Sequence, residues 1–240
     1  MTRPSAICAL VCALALPLGA EARSRHATPV RPVLVELFTA QGCEGCPQAD
    51  LALGELAKKK GVVALSFSVD VWDYTGWTDT FAQPEFTARQ KAYVKRFKLR
   101  ELYTPEVVIN GAAQTEGLDK ATIGPLITQA QRATGPKGPT VRIASNGERV
   151  DIAAARAPAA PADVWLIRYD PTPAPVKVKV GDNKGKTVVV ANAVRELVKL
   201  GAWRGKAKRF DLPDPASEGL NTVVVVQAPK GGPVLAIGRD

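Results

Sequence analysis

Histidine, cysteine and methionine are scarce in this sequence. His26 is the sole histidine and Met1 the sole methionine, and two of the four cysteines, Cys8 and Cys12, lie in an apolar segment at the amino terminus. A zinc site needs about four ligands, and little beyond Cys43 and Cys46 could supply them. The same two thiolates could attract Cu(I), but no third soft ligand stands nearby. Aromatic residues make up 6% of the chain; they do not interleave with basic residues as a nucleic-acid surface requires. No stretch approaches the roughly 20 apolar residues of a membrane-spanning helix. No cofactor, metal, nucleic acid or stable membrane anchor is therefore expected.

The formal net charge is +9. Its basic residues are dispersed, in Lys58, Lys59 and Lys60, in Lys95 and Arg96, and from Lys206 to Arg209, which reads as a solvated surface. Arg3, the apolar run Ala6–Leu18 and the small residues Ala20 and Ala22 form a secretory signal pattern over residues 1–22. Val11 before Cys12 is too large for a lipoprotein signal, so a soluble periplasmic or secreted protein is expected. The roughly 218 residues left after cleavage suffice for one large or two small domains, and two are expected.

After a lead-in at 23–32, "VLVELF" (33–38) reads as a buried strand. Ala49–Lys60 reads as a helix with Leu51, Leu53, Leu56 and Ala57 on its core face. "VVALSFSV" (62–69) is a second strand, Pro84–Lys98 a helix carrying Phe86, Tyr93, Val94 and Phe97, "TPEVVIN" a strand opened by Pro105, and "TEG" (115–117) a short edge strand. Asp119 is a natural cap for a helix to about Arg132. This first domain, 33–134, is α/β, with a central mixed sheet flanked by helices. Glycine and proline mark a linker at 135–139. Beyond it, 140–240 carries short β-rich runs between turns, the pattern of a smaller sandwich-like domain, although Val194–Leu200 also suits a short helix.

Cys43 and Cys46 stand two residues apart where a strand gives way to a helix. A helix start offers unpaired amides and the positive end of the helix dipole, both of which stabilise a thiolate. Pro47 suits the first turn, where its missing N–H has no partner. In such a pair the first cysteine attacks and the second resolves the mixed disulfide. That makes Cys43 the nucleophile and Cys46 the resolver of a thiol–disulfide oxidoreductase whose partners are protein or small-molecule thiols and disulfides. The alternatives are a binding scaffold with a structural disulfide, and Cu(I) handling. A three-residue clip closes too small a loop to stabilise a chain much. Trp72, Tyr74 and Trp77 in "DVWDYTGWTD" (70–79) are candidates to contact a partner or simply to pack, and Asp70 is a candidate proton relay to Cys46. "GDNKGK" (181–186) reads first as a hairpin turn and second as an anion-binding loop using Lys184 and Lys186. Neither the direction of electron flow nor the oligomeric state is legible.

The segments "VELFTAQGCEGCPQAD", "FSVDVWDYTGW", "FTARQKAYV", "YTPEVVINGAAQTEG" and "GDNKGKTVVVANAVRELVKLGAWRG" resemble the thioredoxin superfamily, and more closely exported bacterial proteins grouped as domain of unknown function 1223. The resemblance implies a thioredoxin-like domain followed by a smaller β-rich portion, with no established substrate. It also implies Cys43 and Cys46 as the redox pair, Pro105 as a cis-proline facing them, and Thr104 as a backbone contact for an extended partner. Gly42 stands where thioredoxin has tryptophan, and Glu44 and Gly45 lie between the cysteines.

Overall fold

The computed structural model describes residues 31–117, 119–133, 138–214 and 219–240. The expected signal peptide, the lead-in to residue 30 and residues 135–137 of the expected linker lie outside the described residues. None of the described helices is long and apolar enough to cross a membrane.

Strands β1 (Val33–Thr39) and β2 (Val62–Ser68) are buried at every position. Such continuous apolar runs suit parallel pairing, and the two strands pair in that sense across helix α1 (Cys46–Ala57). Helix α2 (Pro84–Phe97) leads to β3 (Glu106–Ile109), antiparallel to β1, and β3 turns into β4 (Ala113–Glu116). Helix α3 (Lys120–Arg132) starts at Asp119, whose carboxylate accepts from Thr122 N. Alternation along β1 sorts its side chains between two faces. Val33, Val35 and Leu37 pack with Leu53 of α1 and Ile123 of α3, whereas Leu34 and Phe38 pack with Phe86 and Tyr93 of α2. Helix α1 begins three residues earlier than the sequence suggests, and Leu51, expected on its core face, is 60% exposed.

The chain continues through β5 (Val141–Ile143), β6 (Arg149–Ile152), β7 (Ala162–Asp170), β8 (Ala174–Lys177), β9 (Thr187–Val190), β10 (Ala193–Trp203), β11 (Lys208–Asp211), β12 (Asn221–Gln227) and β13 (Val234–Arg239). Here the expected architecture is corrected. The molecule is mostly strand, and its centre is one mixed eight-stranded sheet in the order β13-β12-β7-β10-β2-β1-β3-β4. A helix-flanked thioredoxin-like domain followed by a separate sandwich is not what forms. The physical reason lies at the outer edge of β2. Left unpaired, that apolar strand would expose a row of N–H and C=O groups. Instead β10 docks beside it: Ala193 pairs with Ser66, Ser66 N donates to Asn192 O at 3.1 Å, and Asn192 Nδ2 donates to Ala64 O at 2.7 Å. Val194–Leu200 thus belongs to a strand and not to a helix. The three-stranded sheet β11-β6-β5 packs Val150, Ile152 and Phe210 against Val164, Leu166, Val224 and Val226 of the large sheet. The β8-β9 hairpin lies beside α1, where a Cβ on Gly54 would stand 3.3 Å from Ala191 Cβ.

A buried ionic cluster ties these parts together. Glu36, central on β1, is fully buried. Arg89 Nε of α2 donates to Glu36 Oε1 and Tyr93 Oη to Glu36 Oε2, each at 2.5 Å. Arg89 Nη2 also reaches Tyr93 Oη and Gln227 Oε1, both at 3.1 Å, and Gln227 Nε2 donates to Tyr93 Oη at 2.9 Å. The guanidinium lies 5.4 to 5.8 Å from the ring centroids of Phe67, Tyr93 and Trp165. Nearby, a Cβ on Gly111, at φ +59°, would collide with Gly232 O, so only glycine permits that approach of the two halves.

A second buried carboxyl, Asp50 of α1, accepts from Thr39 Oγ1 at 2.6 Å and Ser66 Oγ at 3.1 Å. Burial outweighs these hydrogen bonds and raises its pKa to about 7.

Two outcomes follow from these groups. Arg89→Met strands the Glu36 carboxylate and is expected to cost about 3–5 kcal/mol in guanidinium unfolding, with Glu36→Leu plus Arg89→Met recovering much of the loss. A single-variant cost below about 1 kcal/mol would mean the charge finds another partner. For Asp50, the unfolded chain ionises near 3.8 and the folded chain near 7. The stability present below pH 3.8 is therefore lost as pH rises through that window, by up to about 1.4 kcal/mol per unit. Asp50→Asn should remove the Asp50 share of the slope in urea unfolding measured from pH 4 to 8, leaving that of Glu106 and Asp79; an unchanged slope would assign all of it to those groups.

Candidate functional site

Cys43 and Cys46 form a disulfide, with their Cα atoms 5.4 Å apart. The turn is shaped by Cys43 N donating to Ala40 O at 3.1 Å and Cys46 N to Cys43 O at 3.2 Å. Helix α1 starts at Cys46; Gly45 is its N-cap, without a side-chain cap hydrogen bond, and Pro47 occupies the first turn. The positive end of the helix is thus presented at the sulfurs, where it favours a thiolate once the bond is reduced. Cys43 is 3% exposed and Cys46 fully buried, while Glu44 and Gly45 are exposed.

The Thr104–Pro105 peptide bond is cis. Thr104 O lies 3.6 Å from Cys43 Sγ, placed to accept from the thiol after reduction. Pro105 Cδ is 3.6 Å from where a Cβ on Gly45 would stand. Trp72 Nε1 donates to Thr104 Oγ1 at 2.7 Å, and Tyr74, 81% exposed, stacks on Trp72 with centroids 6.2 Å apart. Cys43, Cys46, Thr104, Pro105 and Trp72 are therefore brought together, with Tyr74 on the rim. Trp77 acts one layer back, donating to Gln41 Oε1 at 3.0 Å. Asp70 accepts from Thr87 Oγ1 of α2 at 2.7 Å. Its hydrogen bonding is thus directed to α2, whereas Asp50 sits one helical turn after Cys46.

Several residues the sequence reading passed over hold the cysteine turn. Gln41 N donates to Asp79 Oδ2 at 2.7 Å, and Gln41 Nε2 to Thr80 Oγ1 at 2.8 Å. Asp79 also accepts from Phe81 N and Ala82 N; burial raises its pKa despite these bonds. On the other side Asn183, fully buried in the "GDNKGK" turn, donates from Nδ2 to Gln41 O at 2.9 Å and to Cys43 O at 2.8 Å. The turn reading of that segment holds, but an asparagine in a turn carries no mark of a distant partner. Asp50 did carry one, as an acid four residues after Cys46 on an otherwise apolar helix face.

Immediately after Pro105, Glu106 is fully buried, and burial raises its pKa to about 7. Gln90 Nε2 donates to Glu106 Oε2 at 2.8 Å, leaving Glu106 Oε1 and Gln90 Oε1 as buried atoms without partners. A proton on Glu106 would supply the donor this pair of acceptors lacks. No group of three or more His, Cys, Asp or Glu side chains among the described residues is arranged to hold a metal ion.

Two solved structures resemble this one. A crystal structure of an Agrobacterium tumefaciens protein is 29% identical, with a TM-score of 0.72 over 89% of this chain and 95% of that one. HBP35 of Porphyromonas gingivalis is 13% identical, with a TM-score of 0.59 over 88% of this chain and 75% of that one, a likeness of fold alone. No curated protein matches the chain. The model of the protein family of unknown function DUF1223 matches residues 34–227, and with that span the chain belongs to the DUF1223 family.

Proposed function

We propose that the protein exchanges disulfides with partner thiols or disulfides through Cys43 and Cys46, acting outside the cytoplasm after removal of residues 1–22. The observation that carries this reading is the disulfide itself, set at the open amino end of α1 with Thr104 O 3.6 Å from Cys43 Sγ. A purely structural clip has no need of a helix dipole, an adjacent acceptor or an aromatic rim.

In the reducing direction, Cys43 thiolate attacks one sulfur of a partner disulfide. A Cys43–partner disulfide forms, and the other partner sulfur leaves as a thiolate that takes up a proton. Cys46 then gives up its proton and attacks Cys43 Sγ, which closes the Cys43–Cys46 disulfide and releases the second partner thiolate. Two electrons pass to the partner; of the two protons its thiolates take up, one is given up by Cys46 and the other comes from solvent, which received the Cys43 proton on ionisation. The oxidising direction is the same sequence reversed. At 3% exposure, Cys43 offers a partner sulfur only a narrow approach. That geometry favours an extended segment over a broad folded face, and Tyr74 and Trp72 offer it an apolar wall.

Cys46→Ser leaves the attacking thiol without a resolver, so the variant is expected to accumulate a Cys43-linked mixed disulfide with exported proteins, visible on non-reducing gels and abolished by adding Cys43→Ser. Absence of any Cys43-dependent adduct, with wild type unable to exchange with a glutathione buffer, would sink the reading in favour of a structural disulfide.

A further inference from the structure

The connection from β8 to β9 is a built element, not a slack loop. Val178 N donates to Lys186 O at 3.0 Å, Gly185 N to Val178 O at 2.9 Å, and Lys184 N to Gly181 O at 3.0 Å. Gly181, at φ +81°, packs where a Cβ would lie 3.3 Å from Thr75 Oγ1 of the aromatic loop. From this frame Asn183 reaches across to the cysteine turn. Both of its amide hydrogens are taken by the carbonyls of Gln41 and Cys43, and its Oδ1 accepts from Lys186 Nζ at 3.2 Å. The donors fix the amide's orientation, since only nitrogen can face two carbonyls.

We propose that Asn183 is a positioning residue of the Cys43–Cys46 centre: it holds residues 41–43 in the shape of the closed disulfide when the bond is open, and so favours closure. The proposal rests on the exchange reading above. Reduction releases a covalent constraint, and an untethered turn would gain conformational freedom that must be lost again on reoxidation. A turn already clamped by Asn183 on one side and by Asp79 and Trp77 through Gln41 on the other gains less. The two thiols therefore keep a higher effective concentration for each other. Lys186 supports the clamp by holding Oδ1.

A residue that merely supports the fold destabilises the oxidised and reduced proteins equally and leaves their ratio unchanged. One that pre-forms the turn changes the ratio. The test is the Cys43–Cys46 equilibrium constant in glutathione buffers at pH 7.5, read by thiol labelling and mass, with thermal melts of both redox forms, for wild type, Asn183→Ala, Asn183→Asp and Lys186→Met. Asn183→Ala should shift the constant toward the dithiol about fivefold, the effect of losing roughly one net hydrogen bond's worth of ordering. Asn183→Asp should shift it at least as far, because a carboxylate cannot donate to two carbonyls. Lys186→Met, which leaves the turn's backbone bonds in place, should move it about twofold the same way, and it carries the test if the Asn183 variants do not fold. Constants within experimental error of wild type, with both redox forms equally destabilised, would overturn the positioning role alone. A wild-type pair with no transition would instead overturn the exchange reading.

Discussion

The Glu36 carboxylate is the constraint around which the molecule is arranged. A charge buried at the centre of a sheet is costly unless it is paired and hydrogen-bonded, and the partners of this one come from far apart in the chain. Arg89 and Tyr93 arrive on α2, and Gln227 arrives on β12, beyond the change in composition that suggested a linker. Hydrophobic burial alone would let β12 slide or repack. A planar guanidinium facing a carboxylate, a phenol and an amide does not tolerate such slippage. The cluster thus fixes how the second half of the chain sits on α2 and β1, while β10 pairs separately along the outer edge of β2.

The same logic operates at the cysteine turn, with Gln41 at its centre. Gln41 is bound by Asp79, Thr80, Trp77 and Asn183 together. The turn is held from the aromatic loop on one side and from the β8-β9 hairpin on the other. Because the holding groups come from both halves, neither half alone builds the site as it stands. Two carboxyls with pKa values raised by burial to about 7, Asp50 and Glu106, lie in the elements that flank the disulfide, α1 and β3, so both change charge near neutral pH, while Glu44 stands exposed between the cysteines.

What could be read from sequence was what has a local cause. Continuous apolar runs announced β1 and β2, Asp119 announced the cap of α3, and the cysteine spacing with Pro47 announced a helix start. The extent of the sheet was not legible. Short alternating runs beyond residue 140 look the same whether they fold into a second packed sheet or extend the first, because the period of two reports a pleat and not a neighbour. Leu51 looked like core for a related reason: leucine at helical spacing does not say which face is covered. Asn183 and Gln227 were missed because their role is a partner some 140 residues away in the first case and 138 in the second, a relation that no local pattern encodes.

That distance has a temporal side. A chain synthesised from its amino terminus presents Cys43 and Cys46 long before Asn183, whose partner Cys43 lies 140 positions upstream. For that interval the nascent segment holds the two cysteines without the Asn183 hydrogen bonds that later brace their turn. Any thiol chemistry it meets then acts on a more pliable turn than the finished protein possesses. The completed hairpin is thus also a clock: its arrival separates the period in which the cysteine turn is held from one side only from the period in which it is held from both.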